Sequence, residues 1–404
     1  MVLVGVLAGA AIWVLLLRPV IPLDFRVFYS AGLAVRQHLD PYPTPNTSAV
    51  WSGSAFVYPY AAAWPFSVLA AAGVHTAALL WAVISIAAVT AGVWLLTGPR
   101  WGVLLAVLVA SPTVDGLQMG TVNALLFLGL AVAWHWRDRA GIVGLAVALL
   151  IAVKLFLWPL GLWLLLSRRW RAAGWAAGIG GGVLAAGFLA GPLGPSGYLR
   201  LLRELGGHEA AQGAGLQGLL VTWGASAPAA QLIGVLAALA LMYAVTRRST
   251  PSSPAVYAAA VAAALFASPV VWHHYYLLLA APLLLLARPT VAAGCYLLIG
   301  WASVSPHPAA GVSLLAVTIA ADAALALAVV GLLLWHRRRI RRAGVRLRGP
   351  ASAIAVLIVL ALAAVGPRAF AVGLSQAALP VAATVAICVV AAAPSWGKRS
   401  VPMP

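Results

Sequence analysis

Apolar runs of 14–26 residues, separated by short basic clusters, recur along most of this chain. Such runs approach the roughly 20 residues that an α-helix needs to cross a bilayer. Only 8% of the 404 residues are charged, against about a quarter in soluble domains. So few charges cannot cover a water-facing surface, which excludes a soluble enzyme, a coiled coil and a disordered chain. The sequence predicts an all-α polytopic membrane protein, with residues 1–404 as a single integral membrane domain.

The net charge of +18 does not indicate a nucleic-acid partner. Most Lys and Arg residues lie in clusters between apolar runs, where cytoplasmic loops carry their topology signals. One orientation places these clusters in the cytoplasm and leaves Asp138 as the only acid on that side. We therefore expect a multi-pass plasma-membrane protein with both termini cytoplasmic and its chemistry on the extracytoplasmic face.

Twelve crossings satisfy this charge distribution. The longest polar stretches then become two extracytoplasmic loops, residues 23–56 and 191–228. The predicted spans are 2–20, 75–97, 101–114, 122–136, 172–190, 229–246, 254–269, 273–287, 290–303, 310–335, 350–366 and 371–393.

Two apolar stretches, 57–72 and 141–166, do not fit as ordinary spans. The first contains two prolines, and the second lies between two cytoplasmic clusters with Lys154 and Pro159 near its middle. Two full crossings need about forty residues, so we expect short helices that meet within the membrane. The alternative for 141–166 is one ordinary membrane-spanning helix, in which case one of the two flanking arginine clusters is not cytoplasmic.

Asp24 directly follows the first predicted span. A carboxylate at the hydrocarbon edge is costly unless it is paired or functional. Apolar surroundings raise its pKa, which suits a general base acting on a hydroxyl nucleophile. The alternative is an interfacial acid paired with Arg26. Farther along this loop, Asp40-Pro41 is predicted to end a short helix and position the loop.

Lys154 and the segment Trp272-His273-His274-Tyr275-Tyr276 are the other polar groups that need an explanation. A buried amine requires an anion or a watery space, and phosphate is its natural partner; snorkelling is the alternative. Adjacent histidines lack the i, i+4 spacing of a helical metal pair. Phosphate or sugar binding is therefore favoured over metal, while an aromatic belt is the alternative for the two tyrosines.

Polar residues also cluster between 111 and 123, which we expect to form an outer hinge. Thr121 is expected to cap the helix that starts near Asn123, and Asn123 to contact a ligand. The spacing of Gly174, Gly178 and Gly182 predicts helix packing. Asp322 lies in a late apolar run with no evident partner, and both cysteines, Cys295 and Cys388, lie in apolar runs, which argues against a disulfide or metal framework.

Five short segments resemble the GT-C superfamily of membrane glycosyltransferases, in particular glycosyltransferase family 87, the actinobacterial polyprenyl-phosphate-dependent α-mannosyltransferase family. Thr121 stands where the family has glutamine, and Tyr275 where a second histidine is usual. The segments are Asp24-Phe-Arg-Val-Phe-Tyr with Asp40-Pro-Tyr, Phe56-Val-Tyr-Pro59, Gly120-Thr-Val-Asn123, Lys154 to Pro159 with Ser167-Arg-Arg-Trp-Arg171, and Ser268-Pro-Val-Val-Trp272-His-His274.

The resemblance implies a GT-C fold and inverting transfer of mannose from a polyprenyl-phosphate donor to a hydroxyl of a glycolipid or polysaccharide acceptor. Asp24 would be the catalytic base, and one carboxylate suffices for inversion. The implied donor-phosphate residues are Lys154, His273 and His274, and the implied sugar or acceptor residues are Arg26, Tyr29, Tyr58, Gln118, Asn123 and Trp272.

No metal or other cofactor is expected, because the leaving phosphate has Lys and His cations available. The named alternatives are an arabinofuranosyltransferase that uses decaprenyl-phosphate-arabinose and, less favoured, a transporter or flippase for a lipid-linked sugar. A transporter usually shows internal repeats, which the motifs do not indicate. A structural scaffold would leave Asp24, Lys154 and His274 unexplained.

Overall fold

The computed structural model describes residues 21–287 together with Ala292 and Tyr296. Across these residues the chain is helical and contains no strand. Predictions for spans 2–20, 310–335, 350–366 and 371–393, for the basic run 337–348, for Asp322 and for the two cysteines lie outside the described residues, as does nearly all of 290–303.

Fourteen α-helices and five short 3-10 turns make up the described part. The 3-10 turns are Ser48–Trp51, Tyr60–Ala63, Leu155–Leu157, Ala210–Gln212 and His273–Tyr276. The helices are α1 (Leu23–Arg36), α2 (Trp64–Leu69), α3 (Val74–Thr97), α4 (Trp101–Val109), α5 (Ser111–Met119), α6 (Asn123–His135), α7 (Ala140–Val153), α8 (Pro159–Leu166), α9 (Trp170–Ala190), α10 (Pro195–Glu209), α11 (Leu216–Thr222), α12 (Ala227–Arg248), α13 (Pro254–Ala267) and α14 (Leu277–Leu286).

Within these residues three helices, α3, α9 and α12, are long and apolar enough to cross a membrane. They coincide with the predicted spans 75–97, 172–190 and 229–246. The predicted spans 122–136, 254–269 and 273–287 are shorter apolar helices, α6, α13 and α14 with its preceding turn. An apolar helical membrane protein is therefore supported, while the total of twelve crossings stays a prediction.

The predicted span 101–114 is not one straight helix. Helix α4 ends at Val109, and Ala110 adopts an extended conformation. Helix α5 then continues at an angle of 61° to α4. Pro112 in the first turn of α5 explains the break, because its ring cannot follow a continuous preceding helix. Most of the expected outer hinge at 111–123 is helical, and α5 carries most of its polar residues.

The stretch 141–166 breaks at Lys154, as predicted. There α7 ends, Lys154 is extended, and a 3-10 turn leads into α8, which begins at Pro159. The 14 residues of α7 extend about 21 Å, less than the roughly 30 Å of a hydrocarbon core. The stretch 57–72 likewise forms a 3-10 turn and the short α2.

Helix α9 packs along α7 through small residues, although not through the predicted ones. A Cβ on Gly144 of α7 would lie 2.8 Å from the carbonyl oxygen of Ala172, and Gly180 lies beside Ala148. Among the described residues, no atom lies within 4 Å of a Cβ built on Gly174, Gly178 or Gly182. In this part of the chain the contact therefore uses another face of α9.

The two predicted outer loops, 23–56 and 191–228, fold against each other beside the 141–166 hairpin. The Tyr42 hydroxyl donates to the Tyr58 carbonyl at 2.9 Å, and the Tyr198 hydroxyl of α10 donates to the Val57 carbonyl at 3.0 Å. Leu155, next to Lys154, packs against the small apolar cluster that includes Tyr198. Asp40 accepts a hydrogen bond from the Tyr42 N–H at 2.8 Å, which agrees with its expected role in positioning the loop.

Candidate active site

The first turn of α1 carries Asp24 and docks on the connection between α5 and α6. Gly120 makes this close approach possible: its φ is +71°, and a Cβ there would lie 2.7 Å from the Cβ of Phe25. The Trp81 indole N–H donates to the Gly120 carbonyl at 2.8 Å and holds the connection from the other side. Buried Phe25 therefore anchors the half-buried neighbour Asp24.

Asp24 lies among charged groups of both signs. Burial raises the pKa of its carboxyl above the ordinary value of 3.8, the positive charges of His274 and Lys154 oppose that shift, and the negative charge of Asp115 adds to it. In the described part of the chain no salt bridge joins Asp24 to Arg26, whose side chain is exposed. The alternative of an interfacial Asp24–Arg26 pair is therefore wrong.

Lys154 lies in an aromatic cage at the break of the hairpin. Its side chain is 7% exposed, and its ammonium donates a hydrogen bond to the hydroxyl of Tyr275. The Nζ atom lies 3.9 Å from the ring centroid of Tyr275 and 4.9 Å from that of Tyr58. Such cation–π contacts stabilise a desolvated ammonium. The charge is therefore held inside the protein and does not snorkel to an interface.

Asp115 of α5 brings the two histidines together. Its Oδ2 atom lies 3.2 Å from Nδ1 of His273 and 3.5 Å from Nδ1 of His274, and Nε2 of His273 lies 3.2 Å from the Ser111 hydroxyl. The 3-10 turn, rather than an α-helix, lets both neighbouring rings approach one carboxylate. A carboxylate that accepts from Nδ1 fixes the orientation of each imidazole ring.

Tyr275 and Tyr276 do not form an aromatic belt. Both side chains are buried, the Tyr275 hydroxyl accepts from Lys154, and the Tyr276 hydroxyl donates to the carbonyl of Ala214 in the second outer loop. The aromatic-belt alternative is therefore wrong for both residues. Their hydroxyls connect residues 272–276, the His segment, to two other parts of the chain. Tyr275 reaches the 141–166 hairpin at Lys154, and Tyr276 reaches the 191–228 loop at Ala214.

Asn123 is fully buried, and neither atom of its side-chain amide has a hydrogen-bond partner in the described part. Its backbone N–H donates to the Thr121 hydroxyl at 3.3 Å, but Val122 is the N-cap residue of α6 and no side chain caps this helix, so the expected capping role of Thr121 is wrong. Unsatisfied buried amides are rare. The position therefore remains a candidate for ligand contact.

The remaining predicted sugar or acceptor residues do not all converge. Tyr58 lies in the cage around Lys154, whereas Arg26 and Gln118 are exposed. The Tyr29 hydroxyl donates to the Ala72 carbonyl at 3.1 Å, and Trp272 is half-buried at the start of the 3-10 turn.

The arrangement can deprotonate a hydroxyl at Asp24 and hold an anion between Lys154 and His274. Sequence reasoning did not find the Asp115–histidine contacts or the Lys154–Tyr275 bond, because their partners are more than 100 residues apart. In residues 21–287 no group of three or more His, Cys, Asp and Glu side chains is placed to hold a metal ion. The expectation of a metal-free reaction stays a prediction.

No curated protein and no solved structure matches this chain. Residues 56–271 match the family model of glycosyltransferase family 87. The match includes Tyr58, Asp115, Asn123 and Lys154, while Asp24 lies before it and the histidines after it. Since the match covers more than half of the 404 residues, the chain belongs to glycosyltransferase family 87.

Proposed function

We propose that this glycosyltransferase moves mannose from a polyprenyl-phosphate donor to a hydroxyl of a glycolipid or polysaccharide, on the extracytoplasmic side and with inversion. The observation that carries the proposal is the grouping of Asp24 with Lys154 and His274, which come from distant parts of the chain and whose charges both act on Asp24. One base and one cationic pocket are the groups that such a displacement needs.

Asp24 is the proposed base. Its carboxylate accepts the proton of the acceptor hydroxyl while the hydroxyl oxygen forms a bond to the anomeric carbon. The bond from that carbon to the phosphate oxygen breaks on the opposite face, and the phosphate leaves with both electrons. A partly desolvated carboxylate of raised pKa is a stronger base than an exposed aspartate. One carboxylate is enough, because no covalent glycosyl intermediate forms.

Lys154 and His274 are the proposed partners of the departing phosphate. Both side chains are less than a tenth exposed, so their charges act in a medium of low dielectric constant. Asp115 lies 3.5 Å from Nδ1 of His274 and orients its imidazole. His273, on the same carboxylate, is a second and weaker candidate.

The surroundings of the site support a lipid-linked donor. The cations lie in an apolar helical protein, where a polyprenyl chain finds an apolar environment. Tyr58 offers a ring face and Asn123 an unpartnered amide, and both are groups that bind sugars. Mannose is preferred over arabinofuranose on the family resemblance alone, so donor identity is a separate arm of the test.

The test uses the full chain purified into lipid nanodiscs, with radiolabelled polyprenyl-phosphate-mannose and a panel of glycolipid acceptors. We expect label transfer by the wild type and its loss in Asp24→Asn, with donor binding retained. Asp138→Asn is the matched control, because Asp138 is exposed at the opposite end of the hairpin from Lys154. Transfer from the arabinose donor alone would overturn mannose. If no donor is consumed while labelled lipid crosses the bilayer, the protein is a transporter.

A further inference from the structure

Glu209, the last residue of α10, is a second buried carboxylate near the candidate active site. Its side chain is 7% exposed. Among the described residues, no hydrogen bond or salt bridge involves this carboxylate. Most of the side chain is withdrawn from water, and the carboxylate has no protein donor among these residues. Hydroxyl groups of a ligand would supply the missing donors.

The chain around Glu209 places it against the His segment. Gly206 of α10 lies beside Pro269, and the Ala214 N–H, five residues after Glu209, donates to the Val271 carbonyl at 2.6 Å. The negative charge of Glu209 acts on Tyr275, whose hydroxyl holds Lys154. Glu209 therefore approaches the site from the second outer loop, whereas Asp24 comes from the first.

The charge of Glu209 determines which part of a substrate it can face. A carboxylate repels the donor phosphate, which is the part that Lys154 and His274 attract. It accepts hydrogen bonds from neutral hydroxyls, and two adjacent sugar hydroxyls match its two oxygens. Burial raises the pKa of Glu209 to about 7, against a smaller opposing effect of His208. Hydroxyl donors that stabilise the charged form would reverse this shift.

We propose that Glu209 is a sugar-recognition residue whose carboxylate accepts hydrogen bonds from neighbouring hydroxyls of a saccharide in the active site. This inference rests on the proposed glycosyl transfer and adds a specificity contact to it. The saccharide is either the transferred sugar or the acceptor sugar. Both present the same hydroxyl chemistry, and the experiment separates them.

The test is a coupling measurement on the full chain in nanodiscs. Wild type and Glu209→Gln are assayed with polyprenyl-phosphate-mannose and an alkyl mannoside acceptor, and then with monodeoxy analogues of each sugar. For each analogue we take the ratio of the wild-type kcat/KM to the Glu209→Gln kcat/KM. The intrinsic reactivity of the analogue affects both values equally and cancels in this ratio. Asp138→Asn is the control, because it removes an exposed acid whose charge does not act on Tyr275.

We expect Glu209→Gln to lower kcat/KM about 10-fold to 100-fold, the range for a hydrogen bond to a charged group. One monodeoxy analogue should lower the wild-type value by a similar factor and the Glu209→Gln value by less than about 3-fold. Coupling in the donor series assigns Glu209 to the transferred sugar, and coupling in the acceptor series assigns it to the acceptor.

Equal losses on every analogue, without coupling, would show that Glu209 has only a structural role and would overturn the inference. Unchanged activity in Glu209→Gln would overturn it as well. Glu209→Ala, checked for folding by its thermal melt, should show the same coupling if the contact exists. A wild type that transfers no sugar from any donor would sink the proposed function, and the inference with it. An active wild type without coupling sinks the inference alone.

Discussion

Asp24 on α1 and Asp115 on α5 both belong to the candidate active site, but their carboxylates have different partners. Asp115 has two imidazole nitrogens within 3.5 Å of one oxygen. Asp24 is influenced by the same His274 and by Lys154 but takes part in no salt bridge in the described part of the chain. A carboxylate with committed partners positions other groups, whereas one without them is available to accept a substrate proton.

The largest expected effect separates these two roles. Asp24→Asn should lower kcat about 100-fold to 10,000-fold, the usual contribution of a general base. Asp115→Asn should lower it only about 10-fold, because the histidines lose orientation but the base remains. Steady-state kinetics on both variants, with donor binding measured directly, check this. A larger loss in Asp115→Asn than in Asp24→Asn would reverse the assignment.

Lys154→Met should act on donor binding more than on the proton transfer. The variant removes a buried charge that faces the proposed phosphate, so we expect the donor KM to rise about 10-fold to 100-fold. The acceptor KM should change little. Donor titrations with wild type and Lys154→Met measure this. An unchanged donor KM would remove Lys154 from the phosphate site.

The pH dependence offers a subtler measurement on the same pair. Asp24 must be deprotonated to act as a base, so activity should fall as the pH drops through its raised pKa. Lys154 lowers that pKa, so its removal in Lys154→Met should raise the pKa further. The acid limb of the normalised kcat/KM profile should therefore move to higher pH. An acid limb that stays in place, or moves to lower pH, would contradict the electrostatic effect of Lys154 on Asp24.

The smallest expected effect compares two neighbouring tyrosines. Tyr275→Phe removes the acceptor of the Lys154 hydrogen bond, and we expect a loss of about 3-fold to 10-fold in kcat/KM. Tyr276→Phe removes the bond to Ala214 and should cost about 1 kcal/mol of stability with little change in kcat/KM. Activity assays and thermal melts of both variants test the distinction. Equal losses of kcat/KM in the two variants would mean that the hydrogen bond between Tyr275 and Lys154 does not contribute specifically to activity.

Local sequence signals anticipated much of the secondary structure. Long apolar runs marked α3, α9 and α12, because backbone polar groups in an apolar medium must bond within the segment. Lys154 and Pro159 marked the broken hairpin, since a charge and a missing N–H interrupt a helix. The bend at Ala110 was missed, although Pro112 carried the signal. Hydropathy does not record which proline breaks a helix.

The candidate site was anticipated as separate residues and not as an arrangement. Asp24, Lys154 and His274 stood out because ionisable groups beside apolar runs are costly. Glu209 did not stand out, since nothing in the outer loop distinguishes a buried glutamate from an exposed one. Arg26 and Gln118 were expected in the site and lie exposed, because the sequence does not tell which face of a helix is covered.

The sequence by itself determined the helical class, the membrane character and the resemblance to a family of transferases. Composition and periodicity depend only on how charged and apolar residues are distributed along the chain, so they can be read without knowing the tertiary contacts. Only the tertiary structure decided that Asp115 holds both histidines, that Tyr275 holds Lys154 and that Asp24 has no such partner among residues 21–287. These contacts join segments up to 158 residues apart, and they depend on how the helices pack.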